Sequence, residues 1–222
     1  MFDSDGRPLH VIWRYSRAEL LADAAVHVTG LVLAAIGVTI LLALELGSGE
    51  PAEIASVAIY SAGLLGLLGI SAAYNIWPVS PTKWWLRRFD HALIFLLIAA
   101  TYTPFMSRMP LGATSLALGI GVWIAALAGA TVKVLLPGRF DRLSIALYLV
   151  LGFSGVFAWD TVSASLPAST LSLMIAGGIV YAAGIVFHVW QSLRFQNAVW
   201  HGFVLVASAL FYGAVLDGVV LA

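Results

Sequence analysis

ADAAVHVTGLVLAAIGVTILLAL, residues 22–44, is the stretch that decides how this chain folds. Apart from Asp23 and His27 near its start, it holds only apolar residues, glycine and threonine. About 20 residues of this kind cross the hydrocarbon layer of a bilayer as a helix. The helix is required because lipid offers no hydrogen bonds to a bare backbone. Six further runs follow, at 53–76, 89–107, 112–135, 142–160, 168–191 and 198–220. They are separated by GSGEP (47–51), WPVSPTKWW (77–85), SRMPLG (107–112), LPGRFD (136–141), DTVSASLP (160–167) and SLRFQ (192–196). Glycine and proline punctuate these breaks, and their brevity makes neighbouring spans antiparallel hairpins. The expected architecture is all-α: a leader over 1–21, then one bundle of seven transmembrane helices over 22–221.

Composition agrees. Of 222 residues 61% are hydrophobic and 10% charged, with mean hydropathy +0.98. Soluble domains carry about 25% charged residues, so too few are present here to cover a water-facing surface. Absent cysteine excludes a disulfide framework and a thiolate metal site. A net charge of zero lacks the basic face that nucleic acid requires. The start, MFDSDGRPLHVIWRYSRAEL, is polar and mixed in charge, unlike a cleavable signal peptide. It reads as a leader with Trp13 and Tyr15 suited to a membrane interface and His10 in solvent.

Basic residues give the orientation, since cytoplasmic segments collect Lys and Arg. With the N-terminus inside, the inner segments hold Arg7, Arg14, Arg17, Lys83, Arg87, Arg88, Lys133, Arg139, Arg142 and Arg194, and the outer segments Arg108 alone. The C-terminus is then outside, and the expected location is the bacterial inner membrane.

Ionisable residues within spans are costly and mark function. Asp23 and His27 are four apart on one helical face, as are Ser71 and Asn75, and Asn197 and His201. Asp90 and His91 open the third span, and His188 lies near the inner end of the sixth. In this topology they share one layer near the cytoplasmic face. The outer halves hold Glu45, Glu53, Asp160 and Asp217 but no histidine. Imidazoles and carboxylates are ligands for zinc. The alternative for each is plainer: interhelical hydrogen bonds for His27, Asn75 and Asn197, a pairing with Arg87 or Arg88 for Asp90, packing for His91.

AELLADAAVHVTG (18–30), SAAYNIWP (71–78), RRFDHALIFLLIAATYTPF (87–105), GGIVYAAGIVF (177–187) and NAVWHGFVLVAS (197–208) resemble the hemolysin III family. That family is the bacterial branch of the progestin and adiponectin receptor superfamily, and the resemblance runs from about residue 15 to 220. It implies a seven-helix bundle with a cytoplasmic N-terminus, similar in architecture to alkaline ceramidases. The receptor branch looks like a zinc-dependent lipid-amide hydrolase. A role in membrane homeostasis has been suggested for the bacterial branch. The family's zinc pattern is a serine four before a histidine in span two, an aspartate opening span three, and a histidine pair opening span seven. Ser71, Asp90 and His201 match it; Asn75 and Asn197 stand at histidine positions.

Three arrangements are therefore open. His27 or His188 joins His201 and Asp90 in a rebuilt metal site, with zinc the implied ion. A metal-free network instead contains Asn75, Asn197 and Asp23. Or asparagine oxygens coordinate weakly. The first suits hydrolysis of a lipid amide or ester, with Asp90 orienting a ligand or accepting a proton and Ser71 donating to the oxyanion. The second suits a non-enzymatic lipid-responsive sensor or a pore-like, haemolysin-type membrane-homeostasis protein. Membrane lipids are the expected partners of either, and the sequence leaves enzyme or non-enzyme, and oligomeric state, open. A retinal pump lacks its lysine in span seven, and no Gly-rich phosphate loop supports a nucleotide-driven transporter.

Overall fold

The computed structural model describes residues 15–222. The readings made for His10, Trp13, Arg7 and Arg14 lie outside the described residues. Among the described residues eight α-helices carry the fold: α1 (Arg17–Ser48), α2 (Pro51–Ile76), α3 (Pro81–Ser107), α4 (Ala113–Leu135), α5 (Asp141–Gly152), α6 (Trp159–Ser165), α7 (Ala168–Val189) and α8 (Gln196–Val215). A 3₁₀ turn, Ser154–Ala158, joins α5 to α6, and a π-turn, Leu216–Val220, ends α8. Among the described residues seven spans are long and apolar enough to cross a membrane, α5 and α6 together forming the fifth.

Local chemistry sets the helix starts. Ser16 caps α1 through a reciprocal capping box with Glu19, whose backbone N–H reaches Ser16 Oγ at 3.3 Å. Pro51 and Pro81 stand at the first positions of α2 and α3, where the absent N–H costs nothing. Several starts fall earlier than the apolar runs imply, those of α1 and α3 by the most. α1 begins at Arg17, and α3 begins at Pro81 inside the expected connection, because capped polar first turns extend both helices. α8 begins at Gln196.

The fifth span is a correction. A continuous run over 142–160 was expected, with a loop over 160–167. Instead the helix breaks after Gly152, and α6 takes up residues to Ser165. Tyr102 explains how the break survives in lipid. Its hydroxyl donates to the Gly152 carbonyl at 2.8 Å and accepts from the Gly155 N–H at 2.8 Å. Those backbone groups lack helical partners and would otherwise be bare.

The helices pack in the order α4, α3, α2, α1, α8, α7, with α5 loosely placed against α3, α4 and α7. One core cluster joins Leu41, Val57, Tyr60, Leu64, Phe105 and Val215 in the half remote from the start of α1. A second joins Phe95, Ala99, Val122, Ala126 and Leu151 between α3, α4 and α5. Leu33, Ile36 and Ile40 stand exposed on the outer face of α1, as lipid contact requires. Gly177 lets α8 approach α7, since a Cβ there would fall 2.8 Å from the Phe211 ring.

Short connections place Arg17, Lys83, Arg87, Arg88, Lys133, Arg139, Arg142 and Arg194 at one end, hereafter the basic end. There Asp141 accepts Arg87 Nη2 at 2.8 Å and Lys133 Nζ at 2.7 Å, joining α3, α4 and α5. Lys83 Nζ donates to the carbonyls of Asn75 at 3.0 Å and Trp77 at 2.9 Å, closing the end of α2. At the opposite end Arg108 pairs with Glu53 at 3.0 Å and also reaches the Val219 carbonyl.

Candidate metal centre

The i, i+4 spacing on α1 brings Asp23 and His27 to one face, and that face meets His201 on the second turn of α8. Asp23, His27 and His201 each offer one ligand atom, all within 4.8 Å of one another. His201 Nδ1 lies 2.6 Å from Asp23 Oδ1. A carboxylate only accepts, so it places the imidazole proton on Nδ1 and leaves Nε2 with its lone pair. The carboxylate thereby fixes both tautomer and ring orientation, as it does behind many metal-bound histidines. His27 Nε2 is 3.7 Å from the same oxygen, too far for a hydrogen bond. That nitrogen is buried and has no hydrogen-bond partner. The two imidazoles lie tilted with centroids 4.3 Å apart. Asp23 and His27 are 4% and 5% exposed, so the group sits away from bulk solvent.

Asp90 is buried beside this group, with Ser71 and His91 against its carboxylate. Its place is on the α3 side, outside the cluster of three. His91 Nδ1 is 2.9 Å from the Arg87 carbonyl, to which it donates, and 3.4 Å from Asp90. His188 also stands apart: its ring meets Trp200 at 4.9 Å, and its buried Nδ1 has no partner. Asn75 turns back on its own helix, donating to the Ser71 carbonyl at 2.9 Å. Asn197 sits against the Tyr15 phenol, which burial holds above its usual pKa.

A cleft of about 10 Å³, lined by Tyr15, Glu19, Asp23 and Asn197 among others, opens beside the carboxylate. It is close to the space one water needs. Glu19 steadies its wall by accepting the Phe195 N–H at 3.1 Å, which ties the α7–α8 connection to α1.

Sequence reasoning assigned Asp23 to the hydrogen-bonded network. The structure gives it a direct bond to His201 and a place among the candidate ligand atoms. The spacing of Asp23 and His27 carried half of that signal. The other half depends on the α1–α8 contact, which spacing does not contain.

Seven spanning helices and a buried carboxylate–imidazole group define a multi-pass helical membrane protein. The chain belongs to the haemolysin-III-related family, whose model matches residues 18–212. A Hemolysin-3 homolog of Bacillus subtilis (strain 168) is 34% identical over 198 residues, covering 89% of this chain and 93% of its own length. Hemolysin-3 of Bacillus cereus is 32% identical over 201 residues, covering 89% and 90%. The human monocyte to macrophage differentiation factor is 28% identical over 165 residues, 71% of this chain and 67% of its own. The family is related to the progestin and adiponectin receptors. No solved structure matches the chain.

Proposed function

We propose that this protein is a metal-dependent hydrolase of lipid amides or esters, with a zinc-type ion held by Asp23, His27 and His201. The observation that carries the reading is the convergence of three donors within 4.8 Å, two of them buried and the third partly so, with His27 Nε2 lacking any partner. Two histidines and a carboxylate form a ligand set used at catalytic zinc sites. The family's own set does not fit here, because Asn75 bonds its own helix and Asn197 faces Tyr15. On this reading Asp23 and His27 of α1 take the place of the two missing histidines beside His201 of α8.

Such an ion supplies Lewis acidity toward a carbonyl and makes water a better nucleophile at neutral pH. Asp90 is the nearby carboxylate for proton transfer, and Ser71 is placed to donate to a substrate oxygen. Acyl chains would lie among the apolar helices while the headgroup faces the small polar cleft. The ten-to-one division of basic residues supports a cytoplasmic site, an external C-terminus and residence in a bacterial inner membrane.

A second reading rests on the 2.6 Å bond between His201 and Asp23, which satisfies both groups without a metal. On that reading the layer is a hydrogen-bonded network in a non-enzymatic lipid-responsive or pore-like membrane-homeostasis protein.

Metal content by mass spectrometry, on full-length protein purified in mild detergent, separates the two. One ion per chain is expected, lost in His27→Ala and His201→Ala and kept in Asn75→Ala. Fatty-acid release from lipid amides or esters should follow the metal and fail in Asp90→Asn. Folded protein without metal and without release would defeat the hydrolase reading and favour the network.

A further inference from the structure

A second feature lies away from the histidines. α5 packs only lightly on α4, and between them runs a lateral groove of about 1000 Å³. Gly121, Ala125 and Val132 of α4 form one wall, and Leu143, Leu147 and Val150 of α5 the other. Its lining on α4 extends from residue 113 to residue 132, or about 28 Å at helical rise. That is close to the thickness of the hydrocarbon layer. The groove therefore lies open to lipid along its length.

Its two mouths differ in charge. At the basic end stand Arg139 in the α4–α5 connection and Arg142 in the first turn of α5, both exposed. Asp141 stands between them in sequence, but Arg87 and Lys133 take its two oxygens. Among the described residues no ion pair reaches either Arg139 or Arg142. Lys133 Nζ approaches the Arg139 carbonyl at 3.4 Å, and Phe140 between the two arginines is part of the groove lining. At the far mouth Thr114 and Phe157 line the groove without a charge, and Arg108 is already paired with Glu53.

We propose that the groove, from its basic end to Gly121 near its middle, binds an acyl chain of one anionic glycerophospholipid, whose phosphate is met by Arg139 and Arg142. The apolar walls fit the chain, and the two unpaired guanidiniums fit the phosphate, which they bind in forked geometry. The lipid fills the gap that leaves α5 weakly packed. It is separate from any substrate of the histidine site and does not depend on that site's chemistry.

The test uses delipidated full-length protein in mild detergent, titrated with phosphatidylglycerol or phosphatidylcholine of identical chains and read by native mass spectrometry. Wild type should retain one phosphatidylglycerol in clear preference to phosphatidylcholine. Arg139→Gln with Arg142→Gln should reduce that preference roughly thirtyfold, since each basic residue near an anionic surface contributes a factor of about five. Gly121→Leu should abolish retention of both lipids. A Cβ at Gly121 meets nothing within 4 Å, so the backbone there has room for a side chain to start into the groove. Ala125→Leu serves the same purpose should that variant not assemble. Equal retention of the two headgroups, or unchanged retention in a folded groove-filled variant, overturns the proposal. So does a groove that holds a second copy of the chain, seen as a lipid-free dimer that Gly121→Leu dissociates.

Discussion

Replacing Asp141 by Asn is the sharpest probe of what holds the basic end together. The carboxylate serves Arg87 at 2.8 Å and Lys133 at 2.7 Å. Arg87 and Lys133 are 8% and 2% exposed, whereas the Asp141 side chain is 29% exposed. Asparagine keeps the shape and one acceptor but removes the charge, leaving two cations buried together. Breaking a buried pair by removing one partner costs 3–5 kcal/mol. The partial exposure of Asp141 puts the expected loss at the low end, about 3 kcal/mol, or roughly 150-fold in the folded-to-unfolded ratio. Lys133→Met removes one cation and leaves the Arg87 pair intact, so it should cost less. The double variant should cost less than the sum, because the lysine it removes is one of the two cations left uncompensated. Unfolding in mixed micelles, followed by tryptophan fluorescence, gives all three values. Glu53→Gln, at the more exposed pair with Arg108, should be milder than Asp141→Asn. Strict additivity of Asp141→Asn and Lys133→Met, or equal effects of Asp141→Asn and Glu53→Gln, would refute the reasoning.

Two further outcomes follow from the packing. Tyr102→Phe should destabilise by about 1–3 kcal/mol, because it strips the Gly152 carbonyl and Gly155 N–H of their partner. Hydrogen exchange should then rise at residues 152–158 before it rises elsewhere, and a uniform rise would contradict this. Gly177→Ala should cost about 1–3 kcal/mol through collision with the Phe211 ring, where a Cβ would lie at 2.8 Å. Gly69→Ala meets nothing within 4 Å and should be neutral or slightly stabilising by the same unfolding assay.

The spans were legible because each is a long apolar run, and lipid permits no other backbone solution. The break at Gly152 was not, because hydropathy continues through LGFSGVF and only a distant tyrosine makes the interruption tolerable. A similar limit governs the site. Spacing put Asp23 with His27, Ser71 with Asn75, and Asn197 with His201, each along one helix. It carries no information on helix rotation, which decides that His201 turns to Asp23 on α1. Rotation also places His188 against Trp200 and turns Asn75 back to the Ser71 carbonyl.

The proposed relocation of the ligand set has a physical consequence. A site built from α2, α3 and α8 is held by several interfaces, whereas Asp23, His27 and His201 depend on one, between α1 and α8. That interface is close because α1 carries Gly30 and Gly37 on it: a Cβ would lie 3.2 Å from Leu205 and 3.0 Å from Tyr212. Tyr212 also donates to the Gly37 carbonyl at 2.9 Å, which fixes the two helices in register two turns and more beyond the histidines. At the other end Glu19 of α1 accepts the Phe195 N–H just before α8 begins. The three donors thus lie between two fixed contacts on the same helix pair. Side chains held in this way keep their mutual spacing, which is the property the proposed ligand set requires.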